Sequence, residues 1–257
     1  MTREHTALAL VLACREALPG HLAVTLLSRE GDDSGEGGCE IRSATLFGGR
    51  KSRLRAMVSP WHTGRIWLYG QKSGGAEKIT DFDVERYRHT FRESFPKAQA
   101  ASLVSELVIK TKAAGGAPRC WVLVNAFLDG LDRAAEEETG AALARFLWRY
   151  LDALGLQPPL DACVACGRPF GAGDSLVYAA GENGFLCPEC APSAGGGPSL
   201  SGEGAAYLRA LSSLGAKEAR NIPLSAGEEG RLKGFLFFLI QAACGERFKT
   251  LETFVPD

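Results

Sequence analysis

Cys163-Val164-Ala165-Cys166 and Cys187-Pro188-Glu189-Cys190 constrain this chain more than any other feature of its sequence. Each pair holds two thiols two residues apart, and twenty residues separate the pairs. A two-residue spacer lets both sulfurs of a tight turn face one ion. Two such turns supply the four thiolates that Zn²⁺ takes tetrahedrally in structural sites. Gly167 suits the turn that closes the first knuckle. The segment 160–192 therefore reads as a small zinc-binding insert in a larger fold. Four thiolates leave no position for water, so the expected ion is structural, one per chain, contributing on the order of 10 kcal/mol to folding. A zinc deaminase would need His-x-Glu, but Ala7, Ala23, Gly64 and Phe91 follow His5, His21, His62 and His89 at that spacing. A redox C-x-x-C belongs at a strand-to-helix turn in a βαβ context, which the sequence does not show. An iron–sulfur cluster accepts the same four ligands and stays open at this point.

The other four cysteines, Cys14, Cys39, Cys120 and Cys244, stand singly in or beside apolar stretches, as small buried hydrophobes do. Paired metal-type spacing with no disulfide framework points to a reducing, cytoplasmic setting. Leu8–Cys14 has the look of a short signal core. Glu4 and His5 precede it and Arg15 and Glu16 follow at once, which suits a strand instead. No apolar run reaches the roughly 18 residues that a membrane span needs.

Short strand patterns fill the first ninety residues: Thr6–Arg15, His21–Arg29, Glu40–Phe47, Leu54–Val58, Arg65–Tyr69 and Glu77–Val84, separated by Gly, Pro, Asp and Ser turns. Such a run of short strands suits a small closed barrel, OB-type or SH3-like. Beyond Thr90 the period changes. Gln99–Lys110, Trp121–Ala135, Ala141–Leu154, Ala205–Leu214 and Glu228–Ala243 carry helical spacing. The last is apolar almost all round, as a central core helix would be. The expected fold class is α+β: an N-terminal OB-type β-barrel over 1–89, then an all-helical domain over 90–257 with the zinc knuckle of 160–192 inserted.

Net charge is −1 over 257 residues, so any nucleic-acid signal must come from uneven distribution. From Ile41 to Ala76 there is no Asp or Glu, while Arg42, Arg50, Lys51, Arg53, Arg55, Arg65 and Lys72 fall in that window. These seven are the candidate phosphate contacts. Trp61, Trp67 and Tyr69 lie among them, and aromatic faces beside a basic groove are what single-strand binding uses. The competing explanation is a solvated face with core aromatics.

Ser43-Ala44-Thr45-Leu46-Phe47-Gly48-Gly49-Arg50-Lys51-Ser52-Arg53-Leu54-Arg55, then Val58-Ser59-Pro60-Trp61 and Leu68-Tyr69, precede a helical region interrupted by the two cysteine knuckles. From about Thr6 to Phe248 this order of elements resembles the RecO family of bacterial DNA-repair proteins. The resemblance implies an OB fold, a helical domain and a zinc knuckle held by Cys163, Cys166, Cys187 and Cys190. It places the basic stretch at Arg50, Lys51, Arg53 and Arg55. It further implies a cytoplasmic, nucleoid-associated protein that binds single- and double-stranded DNA and anneals complementary strands. The implied partners are RecR and the tail of single-stranded DNA-binding protein, in loading the RecA recombinase. Two departures from the family pattern are a first strand with only Arg15 as a basic residue and an acidic, Gly-rich Asp32–Gly38.

No catalytic residues are expected, so the chain is read as not an enzyme. A nucleic-acid hydrolase would need clustered carboxylates. The clearest cluster, Asp129, Asp132, Glu136, Glu137 and Glu138, lies on helical segments where a solvated face is the common explanation. No P-loop is present. The remaining alternative is an RNA-binding or protein-interaction module of the same layout. An acidic partner tail would dock near Arg133, Arg145, Arg149 or Arg209.

Overall fold

A computed structural model describes residues 3–29, 37–48, 53–70, 77–194, 197–245 and 247–254. The chain divides into two compact units, Met1–Glu136 with Phe248–Asp257, and Glu137–Arg247.

The first unit opens with β1 (Arg3–Leu18), β2 (His21–Arg29), β3 (Cys39–Phe47), the short helix α1 (Arg53–Met57), β4 (Thr63–Gly70) and β5 (Glu77–Arg86). The strands close into a barrel in the order β1-β2-β3-β5-β4. All neighbours run antiparallel except β3 and β5, which pair in parallel at Ala44–Glu77 and Thr45–Lys78. Five strands in this order form an OB-type barrel, which decides against the SH3-like alternative. Alternation along the strands sends Leu22, Val24 and Leu26, Ile66 and Leu68, and Ile79, Phe82 and Val84 inward. Ala7, Ala9 and Ala44 join them and keep the interior narrow enough for side chains to fill it. Gly64 sits where the β5 backbone leaves no room for a side chain. A Cβ there would lie 2.0 Å from the Asp83 carbonyl oxygen.

One element departs from the sequence expectation. Leu54–Val58 carries no strand; Arg53–Met57 is α1, and Leu54, Met57 and Val58 pack against the barrel core. Apolar residues at i, i+3 and i+4 fit a helix, and in so short a stretch the period does not separate the two states.

The helices α2 (Phe95–Lys110), α3 (Lys112–Gly116) and α4 (Pro118–Arg133) complete most of this unit. Ser94 caps α2, its side chain accepting from the Lys97 N–H. The helix buries Leu103, Val104, Leu107 and Val108. In α3, Lys112, Ala113 and Ala114 turn left-handed, with φ of 48°, 56° and 53°, so the chain reverses before α4. Arg88 ties barrel to helix. Its side chain is 1% exposed and donates to Trp61 O, to Thr63 Oγ1 (2.9 Å), to Asn125 Oδ1 (3.1 Å) and to Asp129 Oδ1 (2.6 and 2.8 Å).

The second unit holds α5 (Thr139–Ala153), a small sheet of β6 (Leu176–Ala179), β7 (Gly184–Leu186) and β8 (Ser199–Leu200), and α6 (Gly202–Ser213), α7 (Ala216–Ala219) and α8 (Ala226–Cys244). α8 packs against α5 and α6 and buries Leu232, Phe235, Leu236, Leu239 and Ile240. Ser225 caps its start, and Gly245 ends it at φ +64°. Tyr178 and Phe185 of the small sheet meet Phe235 at 6.2 and 5.9 Å. An apolar contact therefore seats the insert on the helical core. The chain then rejoins the first unit in α9 (Lys249–Glu252). The Glu106 carboxylate accepts from the N–H groups of Lys249 and Thr250, both 3.0 Å, and from the Thr250 hydroxyl at 2.7 Å. Among the described residues no helix is long and apolar enough to cross a membrane.

Candidate metal centre and nucleic-acid interface

Two local turns build the cysteine cluster. In the first, the Gly167 N–H donates to Cys163 O at 2.8 Å, with Gly167 left-handed at φ +73°, and Cys163 N donates to Arg168 O at 2.9 Å. In the second, β7 runs into Cys187, whose carbonyl accepts from Cys190 N (3.1 Å) and Ala191 N (3.0 Å). Val164 N donates to Phe185 O at 2.9 Å and joins the two turns. The result gathers sulfurs twenty residues apart: all four Sγ atoms lie within 4.8 Å of one another, and Cys166 and Cys187 are 3.9 Å apart. A tetrahedral ion with bonds of 2.3 Å requires sulfurs roughly 3.8 Å apart. The four cysteines are therefore close enough to hold a metal ion.

The local electrostatics agree. Burial pushes the Cys163 thiol up, but N–H groups of Cys187, Cys166 and Ala165 outweigh it and bring it down to about 6. Hydrogen bonding with the sulfurs of Cys187 and Cys166 pushes Cys190 up to about 12. Thiols crowded this closely suit a divalent cation, which displaces their protons on binding. Arg168 braces the edge, meeting Asp174 at 3.2 Å and Glu189 at 3.4 Å.

The four basic candidates among the described residues, Arg42, Arg53, Arg55 and Arg65, do not form one surface. Arg50, Lys51 and Lys72 lie outside the described residues. Arg53 on α1 and Arg65 on the outer wall of β4 are exposed. Arg55 is half-buried, 3.9 Å from Glu16. Arg42 points to the barrel's interior side, where it meets Glu40, His5 Nε2 (2.9 Å) and Glu77 (3.6 Å). Those partners spend its charge inside the protein. Carboxylates that the acid-free window did not contain arrive from β5: Arg65 stands opposite Asp83, and Trp67 opposite Asp81. A cavity of about 580 Å³ between α1 and β5 is lined by Arg53, Trp67, Asp81 and Asp83 among others, a mixed rather than a basic setting.

The three aromatics also separate. Trp61 is a packing residue: its Nε1 donates to Ser105 Oγ at 3.1 Å, and its ring meets Phe91 edge-on at 5.2 Å. Trp67 is half-buried beside the cavity, and only Tyr69 stands well out of the wall. The acidic cluster divides likewise. Asp129 binds Arg86 and Arg88, and Asp132 accepts from Thr90 N (3.2 Å) and Thr90 Oγ1 (2.8 Å). Glu136, Glu137 and Glu138 are exposed. Of the arginines considered for an acidic tail, Arg209 donates to Leu160 O, Arg149 to Leu214 O and Arg145 to Tyr207, while Arg133 is exposed.

Comparison with known proteins bears on what these features belong to. Residues 92–252, more than half of the chain, match the family described as "Recombination protein O C terminal". A "DNA repair protein RecO" from Anaeromyxobacter sp. (strain K) is 44% identical over 112 residues, 42% of each chain. One from Syntrophomonas wolfei is 28% identical over 188 residues, 72% of each. One from Bacillus pumilus is 30% identical over 170 residues, 65% of this chain and 60% of that protein. The match spans about two fifths of the length of the Anaeromyxobacter relatives. On the extent of the match over 92–252, the chain belongs to the RecO family.

Proposed function

We propose that this chain is a DNA repair and recombination mediator that binds single- and double-stranded DNA and anneals complementary strands. It helps to load the RecA recombinase together with RecR and takes up the tail of single-stranded DNA-binding protein. The family match over 92–252 is the observation that carries this reading, and the OB-type barrel ahead of it supports it. Annealing needs two strands held together with their repulsion screened, which a protein surface achieves without turnover, so the chain acts as no enzyme. It works in the cytoplasm on the nucleoid, with a functional division into a barrel of 1–89 and a helical part of 90–257 carrying the 160–192 insert. Cys163, Cys166, Cys187 and Cys190 hold one structural Zn²⁺, which fastens that insert. Arg50, Lys51, Arg53, Arg55, Arg65 and Lys72 serve as phosphate contacts. Arg42, whose charge is met by Glu77 and Glu40, contributes through the barrel's integrity.

A titration of labelled single strands and duplex over a salt series tests the DNA assignment. Log affinity is expected to fall with log salt by about 0.7 per phosphate contact on single strands and about 0.9 on duplex. Absence of binding to either, or binding indifferent to salt, overturns it.

A further inference from the structure

The outer wall of the barrel carries a feature that the basic stretch does not explain. Phe47 and Tyr69 are each 49% exposed. Both stand at strand ends, Phe47 closing β3 and Tyr69 one residue from the end of β4. Lys78 of β5 sits between them: it pairs with Tyr69 on one side and with Thr45 on the other, and Thr45 is two residues from Phe47 on the same face. The Lys78 ammonium lies 5.7 Å from the Phe47 ring centroid and has no ion pair among the described residues. His21 of β2, opposite Phe47 in register, supports that ring edge-on at 4.8 Å and 80°.

β4, β5, β3 and β2 are consecutive in the barrel, so these side chains form one row across four strands. The two rings flank β5 with the Lys78 ammonium between them; on the far side of Tyr69, Glu4 of β1 stands opposite it and its carboxylate accepts from Thr80 Oγ1 at 3.2 Å. Inward-facing neighbours already fill the core, so the rings are not needed there. A ring, a cation and a ring in this order suit bases of an extended strand and a phosphate between them. Aromatic faces stack on any base, and a lysine neutralises a phosphate. A duplex keeps its bases stacked on one another and offers this row only its backbone.

We propose that Phe47, Lys78 and Tyr69, with His21 bracing Phe47, form a stacking row for the unpaired bases of single-stranded nucleic acid. The proposal rests on the DNA-binding reading above and adds four residues to it: His21 and Lys78 lie outside the basic stretch, and Phe47 and Tyr69 carry no charge.

The test compares an oligo(dT) strand and a duplex hairpin, both labelled, binding to the full-length protein and to Phe47→Ala, Tyr69→Ala, Phe47→Trp and Lys78→Gln variants. Each alanine is expected to weaken single-strand binding roughly 5- to 150-fold, with duplex affinity and the salt slope unchanged. Lys78→Gln is expected to lower the single-strand salt slope by about 0.7. Phe47→Trp keeps the affinity and adds indole emission that oligo(dT) quenches, a readout independent of any loss of folding. Unchanged single-strand affinity in both alanine variants overturns the row while leaving DNA binding intact. Equal loss on strand and hairpin, or Phe47→Trp emission unmoved by saturating oligo(dT), overturns it too. Failure of the unaltered protein to bind oligo(dT) overturns the underlying reading and the row with it.

Discussion

Replacing Asp129 by Asn removes the carboxylate that hydrogen-bonds the buried guanidinium of Arg88. The guanidinium has nowhere to go: its other three hydrogen bonds, to Trp61, Thr63 and Asn125, run to neutral oxygens that hold it in place. Burial already lowers the Arg88 pKa, and Asp129 opposes that effect. Breaking a buried pair on one side costs about 3–5 kcal/mol. Asp129 keeps 21% of its side chain in solvent, so water compensates in part and the expected loss is about 3 kcal/mol. At roughly 2–4 °C per kcal/mol for a chain of this size, melting of the first unit should fall by about 6–12 °C. Thermal unfolding followed by circular dichroism measures the shift, and hydrogen exchange locates it in β4, β5 and α4. An Arg88→Met, Asp129→Asn double variant should lose less than the two single losses added together, because the orphaned charge is gone. A loss below about 0.5 kcal/mol in Asp129→Asn, the level of an ordinary surface substitution, refutes the argument that this network ties barrel to helix.

Other expectations follow from the same physics. Purified protein should be colourless and contain one zinc per chain; Cys163→Ser or Cys187→Ser should lose the metal and expose 160–192 to protease, whereas a brown protein holding iron contradicts the zinc assignment. Arg53→Ala and Arg65→Ala should each reduce the single-strand salt slope by about 0.7, while Arg42→Ala should leave the slope alone and lower the melting temperature. The three hydrogen bonds to Glu106 outweigh the upward push of its burial and hold its pKa below its ordinary 4.5. Its contribution, about 1 kcal/mol, is present above that value and lost as pH falls through the depressed one; Glu106→Gln should remove the pH dependence, as a urea series at several pH values would show.

The cysteine quartet was legible because its information is local: residue type and spacing alone set the turns that bring the sulfurs together. The bounds of β2 came out as its apolar run between turn residues implied, and the long helices came out within a few residues, because a helical period persists over ten residues or more. α1 was misread because five residues do not carry enough of either period. The electrostatic surface was legible only in part. A window free of acids along the chain says nothing of the strand that lies alongside, and β5 sets Asp81 and Asp83 against Trp67 and Arg65. Asp129 looked like a solvated helix residue because its partner, Arg88, lies 41 positions away. The row of Phe47, Lys78 and Tyr69 was invisible for the same reason: barrel closure, not sequence proximity, makes them neighbours.

The most direct test of the account is the rate at which complementary single strands, each coated with single-stranded DNA-binding protein, anneal with and without this protein and without ATP. The account predicts clear acceleration that fades as salt rises. Unchanged annealing at salt concentrations where the protein binds the coated strands would contradict it.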